Sequence, residues 1–178
     1  MNLPQIQFKQ YDNAINPSGA RNLDVPASGF IKILNTSSSG CLDMGYINIT
    51  SSGTYAGTRM FFFRPLTLGD ALELRNFRLY LINTSAWSTG TYKFLWKKLV
   101  HFQSGVALST IDEELPNSLP PSGNVLSTQS GMFIQSITES GCSQYMYFDI
   151  FSNTDVPIGT KGGPGAGSFR LRLVYDFL

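Results

Sequence analysis

The sequence predicts an all-β chain: an antiparallel β-sandwich, with the jelly roll as the expected arrangement, carrying an extended N-terminal arm. Three observations lead there. The run Phe169-Arg170-Leu171-Arg172-Leu173-Val174-Tyr175-Asp176-Phe177-Leu178 alternates apolar Phe169, Leu171, Leu173, Tyr175 and Phe177 with Arg170, Arg172 and Asp176. A period of two is that of a strand with one buried face. Similar runs recur along the chain between Gly, Ser and Asn turns, with almost no helical pattern, and about eight to ten such strands suit a sandwich or jelly roll. Finally, the apolar phase of Leu72 to Ile82 slips midway, as in a strand that bends round the corner of a sandwich.

Taken in order, residues 1–22 read as the arm and residues 23–178 as a single β domain. In the arm, Ile6 and Phe8 alternate with polar residues, Asn16-Pro17-Ser18-Gly19 makes a turn, and Pro4 and Pro17 argue against helix. The arm is either an ordinary edge strand or an element that adds to a neighbour's sheet. Phe30–Leu34 and Tyr46–Ile49 are the next strands. Arg59–Phe63 is apolar enough to be buried on both faces, and Pro65–Asp70 is a turn-rich link. In Leu72–Ile82, Leu72 and Leu74 hold even positions but Phe77, Leu79 and Leu81 hold odd ones, which predicts a bulge at Arg75-Asn76.

Tyr92, Phe94 and Trp96 alternate within Tyr92–Leu99, and Val100, Phe102 and Val106 predict that the sheet continues. Thr110–Leu115 is the one short helix expected, closed by Pro116, with a long loop over residues 116–128. Met132–Ile137 and Tyr145–Phe151 are strands, and the glycine-rich segment 159–167 is a loop before the last one. Strands run into Asn-Thr turns at Asn35-Thr36, Asn83-Thr84 and Asn153-Thr154, where Asn and Thr bond their own backbone. The Cys41 to Ile49 segment is echoed by Cys142 to Ile150, as two Greek keys or chance would both allow.

Charged residues make up 14% of the chain, against about 25% in a typical globular protein. Two readings follow: a surface meant to be covered by neighbouring subunits, or a neutral secreted β-protein. The net charge of +1 leaves no electrostatic footprint for nucleic acid. Lys97-Lys98, near His101, reads as a solvated strand edge. Cys41 and Cys142 lack metal-site spacing and are either buried thiols or a single bridge. No run is long and apolar enough to span a membrane, and Met1–Gln10 lacks the apolar core of a signal peptide, so the expectation is a product made and kept in the cytoplasm or a mature form with its leader removed, the initiating Met favouring the first.

No catalytic, cofactor-binding or metal-binding residues are assigned, and the chain is not expected to be an enzyme. His101 is the only histidine, and it has no Gly-x-Ser-x-Gly elbow to serve. Asp112, Glu113 and Glu114 form a solvated acidic turn. The glycines at 162–167 lack a phosphate loop's Gly-Lys-Ser/Thr ending. Trp96 keeps phase with Phe94 and belongs in the core, whereas Trp87 falls in the Asn83–Gly90 turn and is a candidate contact for a partner or a sugar.

The segment from Val25 to Lys97 resembles the small β-sandwich or jelly-roll accessory proteins that decorate, cement or cap the capsids of bacterial viruses. The likeness rests on a strand ending in Asn35-Thr36-Ser37, a Gly45-Tyr46-Ile47-Asn48-Ile49 strand, Pro65-Leu66-Thr67-Leu68-Gly69, and Phe77–Ser85. It implies a virion protein made in the host cytoplasm and assembled with copies of itself and other virion proteins. The arm carries only Lys9 and Arg21 as basic residues, so direct contact with a genome is not expected. Ile6 and Phe8 in the arm, Trp87, and Tyr175 and Phe177 in the last strand are the interface candidates. The alternative is a carbohydrate- or receptor-binding β-sandwich, for which Trp87 would be the contact.

Overall fold

The computed structural model describes residues 2–11, 30–34, 44, 50, 52–82, 92–126, 133–134, 142–153 and 169–178. The Tyr46–Ile49 strand, the Asn35 and Asn83 turns, Trp87, Cys41, the Cys41 to Ile49 half of the echo and the glycine-rich loop lie outside these residues.

The described part is all-β, without helix, and every strand pairing is antiparallel. The strands are β1 (Gln5–Tyr11), β2 (Phe30–Leu34), β3 (Thr54–Tyr55), β4 (Arg59–Thr67), β5 (Leu74–Ile82), β6 (Tyr92–Leu99), β7 (Glu113–Glu114), β8 (Phe133–Ile134), β9 (Tyr145–Ser152) and β10 (Arg170–Phe177). The larger sheet runs in the order β2-β1-β4-β9-β6-β7, with β3 also on β9, and the smaller in the order β10-β5-β8.

The large sheet is covered on both faces, as the apolar run in β4 predicts. Phe61 and Phe63 point with Phe94, Trp96, Met146, Phe148 and Ile150 into a core shared with Leu74, Phe77, Leu79 and Leu81 of the small sheet. Met60 and Phe62 point the other way, with Leu95, Tyr145 and Tyr147, against Val106 and Leu108. Trp96 is fully buried, the place its phase assigns. The C-terminal alternation holds as far as Asp176, with Leu171, Leu173 and Tyr175 packed on the shared core and Arg170, Arg172 and Asp176 exposed, and breaks at Phe177, which is exposed.

The slip within β5 is a bulge. Val174 pairs with Arg78 but Asp176 pairs with Arg75, so β5 holds one residue more than β10. Asn76 takes it up with φ +54°, a left-handed conformation that Asn tolerates better than most residues. Its Nδ2 donates to Asp176 Oδ2 at 2.8 Å, and Arg78 Nη2 meets Asp176 Oδ1 at 3.1 Å.

Elsewhere the structure departs from expectation. Residues 110–115 form no helix: the Ser109 backbone N–H donates to Asp112 Oδ2 at 2.8 Å, closing a turn, after which Glu113 and Glu114 pair with Trp96 and Leu95. In that pairing Glu113 and Glu114 meet Lys98 and Lys93 at 3.1 Å and 3.5 Å. The strand expected beyond Leu99 ends there. Phe102, Val106 and Leu108 instead fold back over the far face of the sheet, and Tyr147 Oη pins them by accepting from Gln103 N and donating to Gln103 O, both at 2.8 Å. Pro65 sits within β4 rather than after it. The ladder to β1 skips Leu66 between Pro65 and Thr67, and such an irregularity tolerates a residue with no N–H to give. Leu72, in phase with buried Leu74, is exposed.

Residues 5–11 of the expected arm are an internal strand. β1 is flanked by β2 and β4, so both its edges are occupied within the chain, and Phe8 rests 5.6 Å from the Phe63 ring.

Candidate assembly surface

Three separate stretches meet at one end of the molecule: residues 2–4, the turn at 66–73 and the last residues of β10. Asp70 holds the first to the second. Its Oδ2 accepts from Asn2 N at 2.7 Å, and its own N–H donates to Asn2 O at 2.9 Å. Gly69 makes this approach possible, because a Cβ there would lie 2.1 Å from Asn2 O and its φ is +61°. The third stretch is held by Leu72 N donating to Leu178 O and Leu178 N donating to Glu73 O. Tyr175 Oη, donating to Pro4 O at 3.3 Å, links the C-terminal strand back to the first stretch.

Five large apolar side chains stand exposed on these stretches: Leu72 at 81%, Leu3 at 62%, Leu178 at 57%, Leu66 at 40% and Phe177 at 39%. Isolated exposed leucines are ordinary, and Tyr55, Val100, Ile111, Leu119 and Leu126 are exposed elsewhere, but these five lie on stretches tied to one another by hydrogen bonds in a chain poor in charge, which suits them to contact. Full burial of such a side chain contributes about 1.5–3 kcal/mol, so five partly exposed ones supply several kcal/mol. Association costs about 4–15 kcal/mol in lost freedom, so the patch can anchor an interface but needs further contacts around it.

Of the four described residues among the five expected at an interface, only Phe177 lies on this surface as an exposed group. Tyr175 is half-buried beneath it, its hydroxyl tied to Pro4 and its pKa raised by burial. Ile6 and Phe8 are half-buried against the shared core, since β1 is taken into the sheet. Trp87 is outside the described residues. Leu3 and Leu66 fall in the segments read from sequence as an arm and a turn-rich link, whereas Leu72 keeps phase with Leu74 and reads as core.

The groups weighed for chemistry are dispersed. His101 is exposed. Glu113 and Glu114 face Lys98 and Lys93 at 3.1 Å and 3.5 Å. Lys98 is further engaged by the Trp96 ring at 4.1 Å and by Asn124 O at 3.0 Å. Among the described residues no three His, Cys, Asp or Glu side chains gather as metal ligands would, and no helix is long and apolar enough to cross a membrane. Cys142 is buried among the residues of the second core.

Among the described residues, Asp149 is the one buried carboxylate with structure built around it. It lies where the ladder along β9 passes from β3 to β4. Oδ1 accepts from Gly57 N at 3.0 Å and Ile150 N at 2.8 Å, and Oδ2 accepts from Thr58 Oγ1 at 3.2 Å. Burial raises its pKa, opposed by these hydrogen bonds and by the Arg59 charge. The side chain stands in for a missing strand neighbour, which is a structural task. No family model, curated protein or solved structure matches the chain.

Proposed function

We propose that this chain is a structural subunit of a virus particle, a bacterial virus being the intended setting, and that it acts by associating with copies of itself and with other virion proteins. The proposed architecture is a β-sandwich of jelly-roll type, with the two sheets as its layers. The observation that carries the reading is the apolar end: Leu3, Leu66, Leu72, Phe177 and Leu178 exposed together on a chain with only 14% charged residues. Low charge removes the repulsion that keeps monomers apart, and the leucines supply attraction. The β-rich scaffold with a low-charge surface also fits the resemblance to capsid accessory proteins.

Light scattering at two concentrations tests it. The protein should form a discrete oligomer, and Leu3→Ser with Leu72→Ser should shift it toward monomer while leaving the thermal melt within a few degrees, because both side chains are exposed. An antibody against the protein should label purified particles. A concentration-independent monomer that never sediments with particles would refute the proposal.

A further inference from the structure

The two edges of the small sheet are treated differently. The β5 edge facing away from β10 is covered. Leu81 N donates to Pro116 O at 2.8 Å, and Asn124 N donates to Phe77 O at 2.8 Å. Between them, Asn124 Oδ1 accepts from Leu79 N and Asn124 Nδ2 donates to Leu79 O, both at 2.8 Å. β8 continues the cover at Leu74 and Arg75. On the far side, β10 is the edge strand, and among the described residues nothing pairs with its outer edge.

Which groups face outward from β10 follows from β5. Backbone groups of Phe77, Leu79 and Leu81 point toward the covering loop, so those of Arg78, Tyr80 and Ile82 point toward β10. Their partners in register are Val174, Arg172 and Arg170. Groups alternate in direction along an antiparallel strand, so the N–H and C=O of Leu171, Leu173 and Tyr175 point out of the sheet edge. Natural edge strands are commonly blunted by charged side chains, Lys above all, by Pro or by a bulge on the edge strand itself, and the charges of β10 are Arg170, Arg172 and Asp176 on its exposed face. β10 holds no Lys and no Pro, and the extra residue lies on β5.

We infer that β10 is where a second copy of this chain adds, β10 to β10, antiparallel about a two-fold axis. The inference rests on the assembly reading above and names its partner. Charge selects the occupant. An in-phase antiparallel pair must set outward residues opposite outward residues. Centred on Leu173, it places Arg170 opposite Asp176 of the other copy. Centred on Val174, it places Arg172 there. In both, Leu171, Leu173 and Tyr175 meet only apolar residues on the inner face. Centring on Arg172 instead would set that arginine against itself, and opposed like charges disfavour that register.

The test is cross-linking on the outward face, where directly opposite non-hydrogen-bonded residues lie about 4.5 Å apart between Cα atoms, within disulfide range. Val174→Cys alone should form a disulfide dimer in the Val174-centred register. A mixture of Val174→Cys with Arg172→Cys should form a mixed disulfide in the Leu173-centred one. Either product, mapped by mass spectrometry, supports the inference. Arg170→Asp with Arg172→Asp should weaken self-association about tenfold in either register, with circular dichroism unchanged because both residues are exposed. Neither product forming, or Arg172→Cys linking to itself alone, overturns the inference. An oligomer that persists without the cross-link refutes strand addition while leaving assembly through the apolar end standing. Capture of Val174→Cys by a different polypeptide in the particle also overturns it.

Discussion

Asn124 should be among the costliest loop residues to remove. Its carboxamide copies a backbone peptide unit, accepting from Leu79 N and donating to Leu79 O at 2.8 Å each. Leu79 is fully buried, so Asn124→Ala strands one N–H and one C=O in the core. A buried backbone group left without a partner costs about 1–3 kcal/mol, and the half-exposed loop lets some water in, so the sum is about 2–4 kcal/mol. For a chain of this length each kcal/mol moves the melting temperature by about 2–4 °C, which gives a fall on the order of 10 °C. Urea unfolding should show a lower midpoint with an unchanged slope. Asn124→Asp keeps the acceptor but turns a carboxylate oxygen toward Leu79 O. It should be as damaging as alanine at neutral pH and recover part of the loss in acid, where a protonated carboxyl can donate again. An alanine variant melting within 2 °C of the parent would show that water replaces the carboxamide freely, and the argument for a covered β5 edge would fail.

Substitutions at two further positions probe other parts of the fold. Burial raises the Asp149 pKa above its ordinary 3.8, so its contribution to stability is fully present below that value and is lost as pH rises through the raised one. Asp149→Asn removes this titration, so its melting temperature relative to the parent should be higher at pH 7 than at pH 3; the reverse order would contradict the cause assigned. Gly69→Ala should destabilise by about 2–4 kcal/mol, from a left-handed φ and from the displacement of Asn2, seen as a lower melting temperature and faster proteolysis near residue 4. Gly69→Asn, which tolerates the φ but brings the same Cβ, should rescue little.

What the sequence discloses is what depends on neighbours in sequence. The slip between Leu74 and Phe77 announces the bulge because burial must resume on the same face after an extra residue. Trp96 is legible as core through Phe94, two residues away. What it hides depends on distant partners. Asn124 looks like any loop asparagine until Leu79 comes alongside. Asp149 looks like a polar residue on a solvated face until Gly57 and Thr58 close over it. Val100 to Val106 read as more strand because apolar content alone does not distinguish a strand from a loop that covers one. The candidate assembly surface is the least legible part, since Leu72 differs from Leu74 only in falling within the turn rather than after it.

The alternation of β10 also sets the rates at which its amides trade hydrogen with solvent. Arg172 and Val174 give their N–H groups to β5, whereas those of Leu171, Leu173 and Tyr175 face outward. In the isolated subunit a single strand should therefore show a comb, slow and fast amides in turn. β9, flanked on both sides and covered on both faces, should exchange only with global opening. Docking of a second β10 would fill in the teeth of that comb, so the time course of assembly would be written in three amides.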